Sequence, residues 1–253
     1  MKRPAAALAL AFAAVAAPPL AAAAPSGVLQ PGHYVTEGGW GHLTLQRSKG
    51  RLLDFSISSV GTNAHTCEVD GEVGSRGETT LVDDGPEPLD QPSCKLSFRA
   101  RGPHVEVRHN GADSCRNHCG ARARFDGLYL QPQPGCLPAQ RRKAGADFKR
   151  LYDAKDYRRA RATLEPVFKS CAQTMDRFET GWLRNDLALT LYKLGDRAGC
   201  LRLLQPLAAD AAKSDTELRE ASTEPMLVDS LIDILRATRT NLRLCEAQGR
   251  PAP

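Results

Sequence analysis

The 253-residue chain predicts an α+β fold, a small antiparallel β barrel or sandwich followed by an α-helical repeat-like domain, and three observations carry that reading. Up to about residue 130 the apolar residues alternate over short runs bounded by Gly, Pro, Asn or Asp, the pattern of strands with one buried face. From residue 139 onward they recur every three or four positions, the helical period. Between the two, residues 131–138 (Gln-Pro-Gln-Pro-Gly-Cys-Leu-Pro) place three prolines close enough together to deny both helix and central strand, so the stretch reads as a linker.

The chain opens with Met1-Lys2-Arg3, an alanine-rich apolar run over 5–17, Pro18-Pro19 and small residues at 21–24 that offer A-x-A cleavage sites. These are the three parts of a secretory signal peptide, assigned to 1–24. A membrane anchor needs about 20 apolar residues, which the two prolines cut short, and no later segment is apolar enough to span a bilayer. Eight cysteines follow: Cys67, Cys94, Cys115, Cys119, Cys136, Cys171, Cys200 and Cys245. An even number in an exported chain argues for disulfides and a periplasmic or secreted location. Zinc is the competing reading at Cys115-Arg-Asn-His118-Cys119, but the spacing lacks a second ligand pair and export makes thiolates hard to keep reduced, so no metal site is assigned.

About 230 residues remain after the signal, enough for two domains, a small disulfide-bonded β domain at 25–130 and a helical domain at 139–248. Strands are expected at 33–37, 42–47, 52–58, 65–69, 79–82, 94–100, 104–109 and 122–130, with Leu52, Phe55, Ile57, Leu96, Phe98, Val105 and Val107 in the core. Eight short antiparallel strands make a small barrel or sandwich. Cys67 and Cys94 lie in strand patterns and are expected to join neighbouring strands, and Cys115 and Cys119 to close a tight loop before the last strand. Cys136 with Cys171 would tie the linker to the second helix, and Cys200 with Cys245 would pin the last helix across the fourth.

The run His65-Thr-Cys67-Glu-Val-Asp-Gly71, Cys94-Lys-Leu-Ser-Phe98, Cys115-Arg-Asn-His-Cys119-Gly120 and Phe125-Asp-Gly-Leu-Tyr129 resembles a small β domain of proteobacterial envelope proteins, some grouped loosely with periplasmic lysozyme inhibitors. The resemblance covers roughly 100 residues, and it implies a stapled β fold and the possibility of lysozyme inhibition.

In the second half helices are expected at 138–154, 157–173, 175–194, 197–213 and 224–247, with breaks at Lys155-Asp156, Gly195-Asp196 and Ser214-Asp215. An internal repeat runs through them. Leu151-Tyr152-x₃-Asp156-x₃-Ala160-x₃-Leu164-x-Pro166-Val167 aligns with Leu191-Tyr192-x₃-Asp196-x₃-Cys200-x₃-Leu204-x-Pro206-Leu207, forty residues on. The pair resembles tetratricopeptide-like units, with a small residue, Ala160 or Cys200, facing a large one, Leu164 or Leu204, a turn later. That resemblance implies stacked helix pairs presenting a groove to a peptide or protein.

A Gly-x-Ser-x-Gly turn, a phosphate loop, His-Glu-x-x-His and a dinucleotide fingerprint are all missing from the sequence, so no catalytic residue and no cofactor is assigned. All six histidines, His33, His42, His65, His104, His109 and His118, lie in the β domain, but strand alternation puts His104 and His109 on opposite faces. Asp83, Asp84, Glu87 and Asp90 form an acidic loop that reads first as a solvated turn and second as a seat for a cationic partner. Between Arg141 and Arg161 nine basic residues face three acidic ones; a solvated helix face is favoured over an acidic partner surface. Nucleic acid is excluded as a partner by the compartment and by the scarcity of interleaved aromatics. The function expected is a non-catalytic cell-envelope protein that binds a protein or peptide, with lysozyme inhibition through the β domain as the alternative.

Overall fold

The structure, a computed structural model, describes residues 27–48, 50–81 and 92–247. The expected signal peptide, the acidic loop at 83–90 and the end of the strand expected at 79–82 lie outside the described residues.

Eight strands form one antiparallel, nearly closed barrel-like sheet: β1 (Gly32–Thr36), β2 (Gly41–Arg47), β3 (Leu53–Val60), β4 (Thr66–Val73), β5 (Glu78–Thr80), β6 (Lys95–Arg101), β7 (His104–His109) and β8 (Gly127–Leu130). Their order is β4-β3-β2-β1-β8-β7-β6-β5, so the chain meanders outward from β1 in one direction and returns to it through β8. Alternation sets what is buried. Along β3 Phe55 and Ile57 point inward, and across the sheet Leu43, Leu45, Val69, Leu96, Phe98, Val105, Val107 and Tyr129 complete the core. The Phe55 and Phe98 rings meet at 4.8 Å across the barrel. Tyr129 is fully buried, and its hydroxyl donates to the Phe125 carbonyl at 2.6 Å, satisfying the one polar atom the ring carries inward.

Two expectations about this half are corrected. Leu52 is 38% exposed and stands outside the core; it is out of phase with Phe55 and Ile57 by one residue, and Leu53 packs against the core instead. The strand expected over 122–130 begins only at Gly127, because residues 121–126 leave the ladder to pack against the β3–β4 turn. A Cβ at Gly61 would lie 2.0 Å from the Arg122 carbonyl oxygen, so only glycine admits that approach.

The disulfides correct a third. Cys67 pairs with Cys119 and Cys94 with Cys115, not Cys67 with Cys94 or Cys115 with Cys119. Strand order explains it. β4 and β6 do not pair, since β5 lies between β6 and the open edge. The segment after the short turn Asp113–His118 instead lies along the outer edge of β4, where Cys67 and Cys119 form a bridge and Gly120 N–H donates to the Thr66 carbonyl at 2.8 Å. The cystine therefore fixes a strap over an otherwise unpaired strand edge.

The helical half comprises α1 (Pro138–Asp153), α2 (Tyr157–Cys171), α3 (Arg177–Lys193), α4 (Arg197–Ala211), a short α5 (Asp215–Glu220) and α6 (Val228–Glu246), with a single 3-10 turn, Ala172–Thr174, before α3. Ser214, read as a break, starts α5 through a capping box with Glu217. Cys136 pairs with Cys171 and Cys200 with Cys245, which are the pairings expected of these four.

The forty-residue repeat has a local physical cause. Asp156 and Asp196 occupy the same N-cap position of α2 and α4 and accept from the Arg159 and Gly199 amides at 3.2 and 2.7 Å. Their own amides donate back to the Leu151 and Leu191 carbonyls, each at 2.9 Å. The residue before each cap is left-handed, Lys155 at φ 60° and Gly195 at φ 83°. Beyond the caps Ala160, Cys200, Leu164 and Leu204 are all fully buried where the helices cross. α6 closes the stack against α3 through a buried polar network. The Asn185 amide donates to Thr238 Oγ1 at 3.0 Å, and Asn241 donates to Asn185 Oδ1 at 3.0 Å.

Candidate functional site: a cleft between barrel and helices

The two halves meet backbone to backbone. Gly39, in the turn between β1 and β2, has φ 68°, and a Cβ there would lie 2.7 Å from the amide nitrogen of Asp176. Glycine thus serves twice at one position, adopting the left-handed backbone and allowing the turn to touch the chain entering α3. A second contact joins the β3–β4 turn to the chain entering α6, where the Met226 amide donates to Asn63 Oδ1 at 2.9 Å.

Between these two contacts lies a cleft of about 770 Å³. The barrel supplies Trp40, His42, Val60, Glu68, Arg122 and Arg124, and the helices supply Asp176, Arg177, Phe178, Glu224 and Leu227. The Arg124 guanidinium lies over the Trp40 ring, 4.9 Å from its centroid, and Trp40 leans on Tyr129 at 6.4 Å. On the helical wall the charges are already committed. Arg177 is paired with Glu224 and lies 4.8 Å from the Phe178 ring, while one Asp176 carboxylate oxygen caps α3 by accepting from the Phe178 and Glu179 amides, both at 2.8 Å. Val60 lines the cleft at 49% exposure, and Met226, 72% exposed, sits at the Asn63 contact next to the lining residue Leu227.

His42 is the one histidine in the cleft. Burial, reinforced by the Arg141 guanidinium and His33, holds its imidazole below the usual range, with Glu179 and Asp176 pulling the other way. Arg141 itself grips Glu179 through Nε and Nη2 at 2.7 and 3.0 Å and also donates to the Cys136 carbonyl, so it ties α1, α3 and the connecting segment together. The other histidines are dispersed. His33 shares a hydrogen bond with Thr44 at 2.8 Å, His104 accepts from the Gln131 amide at 3.1 Å, and His109 accepts from the Gly111 amide at 3.0 Å beside the Phe125 ring. His65 lies under Gly120, and His118 ends the turn after Cys115.

All eight cysteines are in disulfides, so Cys115 and Cys119 belong to two different bridges. The basic run from 141 to 161 is laced to its own helices: Lys143 with Asp147 and Lys149 with Asp153 at 2.6 Å, Arg159 with Asp156 at 2.5 Å and Arg161 with Glu165 at 2.8 Å.

Sequence reasoning missed the cleft because its residues come from six separate stretches. The one local signal was Trp40 set between Gly39 and Gly41, an aromatic in a turn that glycines allow to approach another surface.

These features define a disulfide-bonded α+β protein in which a barrel-like sheet and a stack of helices share one cleft. Its four disulfides are those of a chain that folds in an oxidising compartment, and among the described residues no helix is long and apolar enough to cross a membrane. Comparison with protein-family models, with curated proteins and with solved structures finds no match.

Proposed function

We propose that the protein is a non-catalytic binding module of the cell envelope, exported to the periplasm, and that it seats a segment of a partner protein in the cleft between barrel and helices. The observation that carries this reading is the makeup of the cleft. Aromatic, arginine and exposed apolar side chains line it, the composition that concentrates binding energy at protein interfaces. The polar groups of its helical wall are spent on capping and ion pairing, which leaves the wall a rigid surface. The helical repeat supports the same reading, since stacked, tetratricopeptide-like pairs commonly hold peptides. Photo-cross-linking residues at Val60 and Met226, with a control at exposed Arg202 on α4, test it in cells that export the full chain. Discrete adducts at Val60 and Met226 and none at Arg202 are expected; no adducts, or equal adducts at all three, would overturn it.

One observation favours the alternative, inhibition of a lysozyme through the barrel. β4 sets Glu68, Asp70 and Glu72 on its exposed face, and Asp54 stands opposite Glu72 in β3, giving a carboxylate-rich surface suited to a cationic enzyme. Cell-wall lysis assays with the full mature chain decide it. Unchanged lysis by several lysozyme types removes this reading.

A further inference from the structure

Arg122 and Arg124 set the barrel wall of the cleft apart. Both are exposed, and neither has a carboxylate within ion-pairing distance among the described residues, whereas Arg177 opposite them is neutralised by Glu224. The Arg124 guanidinium stacks over the Trp40 ring, a contact that restricts its side chain within the cleft before any ligand arrives. The main chain of Arg122 is anchored where its carbonyl oxygen approaches Gly61, which places the base of its side chain at the cleft. Val60, exposed and apolar, lines the same cleft, and exposed Met226 directly precedes the lining residue Leu227 in the chain entering α6. Three carboxylates line the same cleft, but Glu224 is paired with Arg177 and Asp176 caps α3, so Glu68 on the barrel wall is the one not engaged in either way.

Resting on the binding function proposed above, we infer that the cleft takes an acidic segment of a partner protein, with Asp or Glu side chains on Arg122 and Arg124 and neighbouring apolar side chains against Val60 and Met226. Two arginines without carboxylate partners, in a cleft with exposed apolar residues, favour that combination over a basic or purely apolar segment. A carboxylate side chain presents two oxygens that match the guanidinium fork, and Asp and Glu are the residues that carry it in an unmodified protein segment.

Random octapeptides displayed on phage and panned against the immobilised full mature chain test this, with the double variant Arg122→Ala/Arg124→Ala panned in parallel. Both arginines are exposed, so the variant is expected to keep its four disulfides and its thermal transition. Enrichment of peptides with Asp or Glu next to apolar residues is expected on the native chain. Synthetic versions should bind the variant about tenfold more weakly and lose affinity as salt is raised. Enriched peptides that lack acidic residues, or that bind the double variant equally, overturn the acidic-ligand inference. Should such peptides still lose binding on Val60→Ser/Met226→Ser, the cleft remains a binding site of different chemistry. Enrichment of no sequence, or only of sequences indifferent to all four positions, overturns both.

Discussion

Asn63 in the barrel and Met226 before the last helix are joined by a single hydrogen bond of 2.9 Å from the Met226 amide to the Asn63 side chain, across 163 residues of chain. Asn63 has φ 58°, a left-handed conformation that asparagine tolerates better than other L residues except aspartate. Asn63→Gly therefore keeps the turn and removes only the bond, costing about 1 kcal/mol. Asn63→Ala removes the bond and strains the turn, adding about 1 kcal/mol more. Urea unfolding of the two variants separates these contributions, and an equal cost for both would show that the turn carries no strain.

Lys155 and Gly195 hold the same left-handed place in the two repeat units, at φ 60° and 83°. Lys155→Gly is expected to stabilise the protein by about 0.5–1 kcal/mol, and Gly195→Ala to destabilise it by about 1 kcal/mol. Thermal unfolding under oxidising conditions measures both, and opposite signs are the diagnostic result.

Asp186, on α3, is largely buried with no cationic partner among the described residues, and burial raises its carboxyl from 3.8 to about 6. The folded state then holds this proton more tightly than the unfolded chain. Stability from this group is greatest below pH 3.8, falls as pH rises to about 6, and stays low above that. Asp186→Asn is expected to raise stability at pH 7.5 by about 1–2 kcal/mol and to change little near pH 3.5. A gain of equal size at both pH values would refute the assignment to desolvation.

Non-reducing peptide mapping should recover Cys67 with Cys119 and Cys94 with Cys115. The double variant Cys67→Ser/Cys119→Ser opens a loop of 52 residues and is expected to cost about 2–4 kcal/mol. It should also expose the outer edge of β4, read as faster amide exchange at Gly120 and in β4. Protection unchanged from the native chain would mean that the strap holds without its cystine.

Much of this fold was legible in the sequence, and the failures have physical reasons. Helix ends were readable where a residue has one strong local job: Asp156 and Asp196 as caps, Pro138 at the first turn of α1. The helix expected over 224–247 begins only at Val228, and the missed α5 depended on reading Ser214 and Glu217 as a reciprocal cap rather than as a break. Strands were legible through alternation at Phe55 and Ile57. Leu52 shows the limit, since one residue of phase error moves a side chain from core to solvent. Cysteine pairing in the barrel was not legible, because it depends on which strands become neighbours, and that is settled by the closure of the whole sheet. The cleft was hidden for the same reason: Trp40, Arg124 and Phe178 are neighbours only once barrel and helices have docked.

The distribution of the disulfides has a mechanical consequence. Two of them close rings entirely within 67–119 and two within 136–245, and none bridges barrel and helices. If tension is applied to the two ends of the chain, the spans 67–119, 136–171 and 200–245 cannot lengthen, and the load falls on the chain outside them, which includes β1 to β3, the segment between Cys119 and Cys136 and α3, and on the contacts at Gly39 and Asn63. Those contacts flank the cleft, so pulling the halves apart would dismantle the binding surface while both halves stay covalently intact, and slackening would let it re-form.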